Sequence, residues 1–546
     1  INYGCRDPEA AVAAYNSALQ CDPHSFEVLV NLGNTLLDLK KYNDAEEASH
    51  RAIKLVPESA EAHSNLGQAY LKQGRYAEAL HVLNKSTVLA PQRSDLLNNF
   101  GVIQQLIGDV DGAISSFQAA LRMDPLALLA ERNLKIAVLN SPSWSAKALF
   151  SLHVNLAKRH DKHSIQGRFS YRHDVLANHK LRVGYVSSDF HDHPVGNNIL
   201  PLLRNHNKDN VELVLYSNVE EPDQKTDIFK NTADNWRDVT ALNDKQLAHQ
   251  IKADCIDIAV YLAGRFNKNR VESAAFRPAP IQVSYHDCAT TGLKAMDYWF
   301  TDSVLHPLET EEQFTEELYR LPVFYQFELP ELMPVVSAPP CLKNGYVTFG
   351  SFNKPEKLSS ETISLWAAIL RQTKDSKLVL KHGNLFGDGE INTIWRDRFA
   401  HEGIDEDRLL LKAGEHSRSE HLALYSQIDI SLDPFPFNGS TTSFESLLMG
   451  VPVITLEGRR FVDRVGATLL KQCSLGEFVA ADKDAYVNTA IRLANAPLQI
   501  SAWREKTRSY LLGSPLCENQ SYAASVESAY KDMWQRKSGE LRQPNQ

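Results

Sequence analysis

LDPFPFNGSTTSFESLLMGVPVITL, residues 432–456, decides how the second half of this chain is read. An apolar run ends at Asp433 and a Pro/Gly/Asn loop follows. Ser440-Thr441-Thr442 then open an amphipathic stretch that closes at Gly450, and 452–456 is apolar again. The order is strand, loop, helix, strand. Hydroxyl side chains and free backbone N–H groups at a helix start form a ready anion site. Glu445, one turn in, either closes a capping box with Thr442 or holds the two hydroxyls of a ribose; beside a phosphate it would be repelled. On residue chemistry alone, a nucleotide diphosphate and plain helix capping both fit.

The same rhythm extends outward. YVTFGSF (346–352), KLVLK (377–381), RLLLK (408–412) and IDISLD (428–433) read as strands, with SSETISLWAAILRQ (359–372) and TTSFESLLMG (441–450) as helices between them. An earlier series has LRVGYVS (181–187), VELVLYS (211–217), IDIAVYLA (256–263) and IQVSYH (281–286). LPELMPVVSAPPC (329–341) separates the two. Strands alternating with helices imply parallel sheets. Two series imply two doubly wound, Rossmann-like lobes facing across a cleft, with ligands at the carboxyl ends of the strands. No G-x-G-x-x-G follows the first strand of either series and no G-x-x-x-x-G-K-[ST] occurs, which argues against a dehydrogenase or P-loop enzyme.

The first quarter has a different period. Asn31-Leu32-Gly33, Asn65-Leu66-Gly67 and Asn99-Phe100-Gly101 recur every 34 residues, as do Pro23, Pro57, Pro91 and Pro125, and Ala45, Ala79 and Ala113. Small residues where helices cross and Pro at each boundary are the tetratricopeptide signature, over residues 1–135. Such repeats stack into an α-solenoid with a concave face. Asn31, Asn65, Asn99 and Asn133 share one phase, predicting a ladder of amides. Having donors and an acceptor, amides can grip an extended peptide's backbone; they can equally brace the repeats' own turns.

Residues 136–178 read as a helical connector with a break at SPSW (141–144), followed by lobes at 179–328 and 346–536, a linker at 329–345 and a tail at 537–546. Just after the first strand, DFHDHPVGNN (189–198) places His191 and His193 around Asp192. His-x-His resembles half a metal site, yet no third and fourth ligands arrive at suitable spacing. SFNKPEKLS (351–359) puts Lys354 and Lys357 at a carboxyl edge, where a cation can meet phosphate; solvated lysines are the plainer reading. HSRSEHLALYSQ (416–427) carries Arg418 for a phosphate and His421 to stack on a base. Asp405-Glu406-Asp407, a D-x-D, sits in a charged stretch that reads as a solvated turn.

Bulk properties narrow the class. The 546 residues carry a net charge of −9, 43% apolar and 23% charged residues. No basic stripe suggests nucleic acid, and no run approaches the ~20 apolar residues of a membrane helix. Seven scattered cysteines without a C-x-x-C pair point to reduced thiols and a cytoplasmic setting. No signal-peptide pattern opens the chain. It begins at Ile1, so an N-terminal piece is expected to precede it.

Taken together, the repeats, RVGYVSSDFHDHPV, FRPAPIQVSYHDCATTG, FNKPEKLS, SRSEHL and NGSTTSFESLLMGVPVIT, in this order, resemble the protein O-GlcNAc transferases of bacterial type. These fuse tetratricopeptide repeats to an inverting glycosyltransferase of the two-lobed B type (GT-B), and the resemblance covers essentially the whole chain. It implies UDP-GlcNAc as co-substrate, Ser or Thr hydroxyls of proteins as acceptors, and no metal or other cofactor. It implies that Lys357 neutralises the leaving diphosphate and that Ser440, Thr441 and Thr442 bind it. Glu445 is then the ribose partner, His421 packs on uracil, and Arg418 and Lys354 lie nearby. Thr291 and Gly292 fall in the loop near the sugar. His193 matches the first lobe's active-site histidine. His193, Asp192 or the donor phosphate can take the acceptor's proton; Asp192 is auxiliary and His191 a surface residue. Acceptor proteins bind along the solenoid and cleft, with no nucleic acid, no membrane and the oligomeric state open.

The chain departs from the animal enzymes near the donor. Asp192 replaces a neutral residue, Lys354 a glutamine, Glu356 an aromatic and Ser440 a histidine; HDCATTG replaces a glycine-rich loop, and a long insert between the lobes is missing. A protein O-fucosyltransferase using GDP-fucose, a scaffold with inactive lobes, and a metal hydrolase on His191 and His193 are the competing readings.

Overall fold

The computed structural model describes residues 7–164, 180–414 and 416–542. Its contacts gather into two compact units: Ile1–Ser141 with Ser351–Ala367 and Lys377–His416, and Pro142–Gly350 with Ala368–Ser376 and Ser417–Gln546.

In the first unit the 34-residue period folds as helix pairs, among them Phe26–Asp38 with Tyr42–Leu55, Ala60–Lys72 with Tyr76–Leu89, and Ser94–Leu106 with Val110–Met123. The recurring glycine marks the crossing within each pair. A Cβ on Gly67 would stand 2.5 Å from Leu83, and one on Gly101 2.5 Å from Phe117, so only hydrogen fits there. Gly33 faces the smaller Ser49 at 3.2 Å. Ala45, Ala79 and Ala113 are fully buried beside these crossings. The expected break at SPSW falls between helix Leu128–Asn140 and helix Ala146–Ser164.

The second unit is built on a seven-stranded parallel sheet: β1 Leu181–Ser187, β2 Val211–Ser217, β3 Asn235–Asp238, β4 Ile258–Leu262, β5 Ile281–Tyr285, β6 Tyr298–Asp302 and β7 Glu317–Leu321. The strand order is β3-β2-β1-β4-β5-β6-β7. It reverses direction beside β1, so the segments after β1 and β4 flank a switch point. Burial of β1, β2, β4 and β5 on both faces explains their continuous apolar runs.

The second strand series comprises β8 Thr348–Ser351, β9 Lys377–Lys381, β10 Leu409–Lys412, β11 Ile430–Leu432, β12 Val453–Leu456 and β13 Val479–Ala480. β8-β11-β12-β13 pair in parallel within the second unit, and β9 with β10 within the first. The architecture is a tetratricopeptide solenoid followed by two Rossmann-like lobes, GT-B in type. Connector residues 165–178 and tail residues 543–546 lie outside the described residues. Among the described residues no helix is long and apolar enough to cross a membrane.

Candidate active site

The loop after β11 is built around one buried carboxylate. Asp433, 2% exposed, accepts from the Gly439 N–H (2.6 Å), Ser443 Oγ (3.3 Å) and Thr455 Oγ1 (2.7 Å), while its own carbonyl accepts from Tyr486 (2.9 Å). Asn438 returns its amide to the Pro434 carbonyl at 2.9 Å. A Cβ on Gly439 would stand 2.6 Å from Thr442 Oγ1, so glycine is required where the backbone turns into helix Thr441–Leu448. The loop thereby fixes the position of the helix start, whose first N–H groups have no intrahelical partner.

The capping-box alternative does not form. No side chain caps this helix. The Ser440 hydroxyl turns to Tyr325 instead. Glu445 Oε2 lies 3.1 Å from His421 Nε2 and accepts from Tyr425 at 3.2 Å, and Tyr425 also reaches the Thr442 carbonyl. Burial, with Glu445 beside it, pushes the Tyr425 phenol far up, so it stays a donor. Both contacts fall on the same oxygen of Glu445, Oε2. His421 sits on the short helix Arg418–Ala423, whose own capping box runs between Ser417 and Glu420. Arg418 Nη2 donates to the Glu328 carbonyl at 3.2 Å.

At the carboxyl end of β1, His193 caps helix Pro194–Asn205: its Nδ1 accepts the Val195 N–H at 3.2 Å. The other ring nitrogen, Nε2, lies 3.2 Å from Asn267 Nδ2. Asp189, buried, stands 3.7 Å from Nδ1 and is held by Asn267 (2.8 Å) and Asn269 (2.9 Å). Asp192 is exposed; its carboxylate accepts from Asn197 at 3.3 Å and lies 3.7 Å from Lys225, which pairs with Glu328 at 2.5 Å. His191, half-buried, lines a cavity of about 510 Å³ with His193, Asp189, Asn267 and Lys268. Among the described residues no group of three His, Cys, Asp or Glu is placed to hold a metal.

Two expectations gain detail. In the loop of Thr291 and Gly292, the Thr291 N–H donates to Glu316 at 2.8 Å, its hydroxyl donates to the same carboxylate, and a Cβ on Gly292 would strike the His153 carbonyl at 2.6 Å. The loop is packed inward, tied by the buried Arg265–Asp287 pair at 2.8 Å. The asparagine ladder is partly spent on the solenoid itself. Asn65 donates to the Val30 carbonyl (3.0 Å), Asn99 to Ser64 (3.2 Å) and Asn133 to Asn98 (2.8 Å), each 35 residues back. One N–H of each therefore stitches neighbouring repeats, leaving the amide oxygens as the ladder's acceptors; Asn31 is half-buried at the same phase.

In the first unit Lys357 is half-buried on the turn Pro355–Lys357, and Lys354 is exposed 4.0 Å from Glu356. Glu356 accepts from Gln105 of helix Ser94–Leu106 at 2.8 Å. Sequence reasoning misses Gln105, Asp433, Asp189, Asn267, Tyr325 and Tyr425; only Asp189 and Asp433 carry a signal, as acids at strand ends.

A model of glycosyl transferase family 41 matches residues 145–333 and 328–526, and a tetratricopeptide-repeat model matches 30–94. The chain belongs to glycosyl transferase family 41. A Thermobaculum terrenum O-GlcNAc transferase, solved as a point mutant, is 30% identical with a TM-score of 0.87, covering 94% of this chain and 98% of that one. A rice protein named "Probable UDP-N-acetylglucosamine--peptide N-acetylglucosaminyltransferase SPINDLY" is 35% identical over 430 residues, 78% of this chain and 46% of its own. A Caenorhabditis elegans UDP-N-acetylglucosamine--peptide N-acetylglucosaminyltransferase is 23% identical over 483 residues, 67% and 42% respectively. This family 41 chain thus spans about half the length of the curated relatives it matches.

Proposed function

We propose that this family 41 chain transfers N-acetylglucosamine from UDP-GlcNAc to Ser or Thr hydroxyls of proteins, with inversion at the anomeric carbon. The observation that carries the reading is the helix start fixed by Asp433. Its N–H groups and Ser440–Thr442 suit a diphosphate, and one turn on, Glu445, oriented by His421 and Tyr425, suits a ribose diol. His421 then packs on the base, with Arg418 as its basic neighbour. Lys357 supplies the positive charge that the departing diphosphate requires, with Lys354 as an exposed neighbour.

An acceptor hydroxyl must lose its proton as it attacks. His193, Asp192 or the donor's own phosphate takes it; His193 stands at the carboxyl end of β1 with its ring held by the helix cap and by Asn267. Asp192, with Lys225 nearby, is the auxiliary acid. The amide oxygens of Asn31, Asn65, Asn99 and Asn133 accept backbone N–H groups of an extended acceptor. The reduced, scattered cysteines fit a cytoplasmic setting.

Nucleotide binding tests this directly. Titration calorimetry is expected to show UDP binding at least tenfold tighter than GDP, with Glu445→Ala weakening UDP about tenfold, a loss of ~1.4 kcal/mol. Preference for GDP would contradict the donor assignment.

A further inference from the structure

His286, the residue after β5, has a ring nitrogen that the rest of the fold leaves unpaired. It is 8% exposed, and its Nε2 has no hydrogen-bond partner among the described residues. The residue also adopts φ 55°, a left-handed conformation in which histidine, like asparagine and aspartate, is found more often than other side chains. A buried polar atom without a partner is costly, and a fold that retains one calls for an explanation.

The ring's neighbours lead to the donor helix. It stacks on Tyr285 (4.0 Å between centroids) and lies 5.1 Å from Phe324 and 5.9 Å from Tyr325. Tyr325 is the residue hydrogen-bonded to Ser440 at the start of helix Thr441–Leu448. Tyr325 also stacks on Phe327 (5.7 Å), which stacks on Phe444 of that helix (4.0 Å). One aromatic contact therefore separates His286 from the proposed diphosphate site. Within the HDCATTG loop, Asp287 is committed to Arg265, and Thr290 and Thr291 to Glu316.

We propose that His286 is the residue of this loop that recognises the donor's hexose: with a sugar diphosphate on the helix start, the unpaired ring nitrogen finds its partner in a hydroxyl or the acetamide of the sugar. Burial pushes the ring's pKa down to about 3, so at neutral pH it is uncharged and keeps one donor and one acceptor nitrogen, as a neutral sugar requires. The proposal deepens the transferase reading and rests on it.

Titration calorimetry on the full chain separates the two. UDP and UDP-GlcNAc are each titrated into wild type, His286→Phe and His286→Asn. UDP should bind all three within about twofold, whereas UDP-GlcNAc should weaken about tenfold in His286→Phe and recover about threefold in His286→Asn. An unchanged ratio of the two affinities in His286→Phe overturns the proposal, because the nitrogen's partner is then water. Loss of UDP affinity equal to that of UDP-GlcNAc also overturns it, placing the ring's effect on the helix start. Should His286→Phe fail to fold, His286→Asn decides: a ratio equal to wild type overturns the proposal, a weaker sugar increment supports it. Wild type that binds neither UDP nor GDP overturns the transferase reading beneath it.

Discussion

Gln105, on a helix of the third repeat, donates to Glu356 at 2.8 Å, two residues from Lys354 and next to Lys357. The same repeat presses Gly108 against this turn and its surroundings: a Cβ there would stand 3.0 Å from the Pro355 carbonyl and 2.9 Å from Trp395. Arg398 closes the contact by donating to the Ile107 carbonyl at 3.2 Å. The repeats thus brace the lysine turn from behind, beyond any role in presenting an acceptor.

Breaking the brace should slow transfer without abolishing donor binding. Gln105→Leu leaves Glu356 without its donor, a loss of about 1 kcal/mol, so kcat should fall roughly fivefold with the donor KM changed less than twofold. Glu356→Gln keeps an acceptor oxygen and should stay near wild type. Steady-state kinetics on the two variants reads the difference.

The glycine crossings grade by neighbour. Gly101→Ala meets Phe117 at 2.5 Å and should destabilise the chain by about 1–3 kcal/mol, as overpacking does. Gly33→Ala meets Ser49 at 3.2 Å and should cost well under half of that. Urea unfolding followed by far-ultraviolet circular dichroism ranks them.

Asp433→Ala removes the acceptor of Gly439, Ser443 and Thr455 at once. Stranding three buried donors should cost about 3 kcal/mol or more, and the disordered helix start should lose UDP affinity by at least tenfold. Thr291→Val is the contrast: it should lower the melting temperature, because Glu316 loses a donor, and leave UDP and UDP-GlcNAc affinities unchanged.

His286 gives the stability a definite pH sign. Its folded pKa, near 3, lies below the ordinary value of 6.5. The unfolded chain therefore binds the proton first, and stability present above pH 6.5 is lost as pH falls toward the folded value. Over that window the slope is about 1.4 kcal/mol per pH unit from this one group. His286→Phe should lose less stability than wild type between pH 7 and 5 in denaturant titrations. Equal losses would mean the ring is not held neutral.

Much of this is legible in the chain itself. The 34-residue period survives because helix crossings tolerate little besides Gly and Ala, and β1, β2, β4 and β5 announce themselves because burial on both faces demands unbroken apolar runs. β3 (NWRD) and β7 (ELYRL) escape a sequence reading: they are sheet edges, half-exposed, and carry polar residues that break the run. The helix start at Ser440 is readable, but not that Asp433 fixes it, since a buried carboxylate's partners lie up to 22 residues away. The inward bonds of Thr291 are not legible because they depend on Glu316, 25 residues on, nor are those of the asparagine amides, which run between repeats rather than within one. Type and order come from local pattern. What each polar group spends its hydrogen bonds on comes from the tertiary fold.

The most direct test of the transferase account is transfer itself. Wild type and Lys357→Ala are each incubated with radiolabelled UDP-GlcNAc and lysate proteins, and label on Ser and Thr is counted. The account predicts incorporation by wild type and a fall of about 10²-fold or more in Lys357→Ala, the scale expected when a transition-state charge partner is removed. Equal labelling by both, or labelling from a GDP-sugar but not from UDP-GlcNAc, would contradict it.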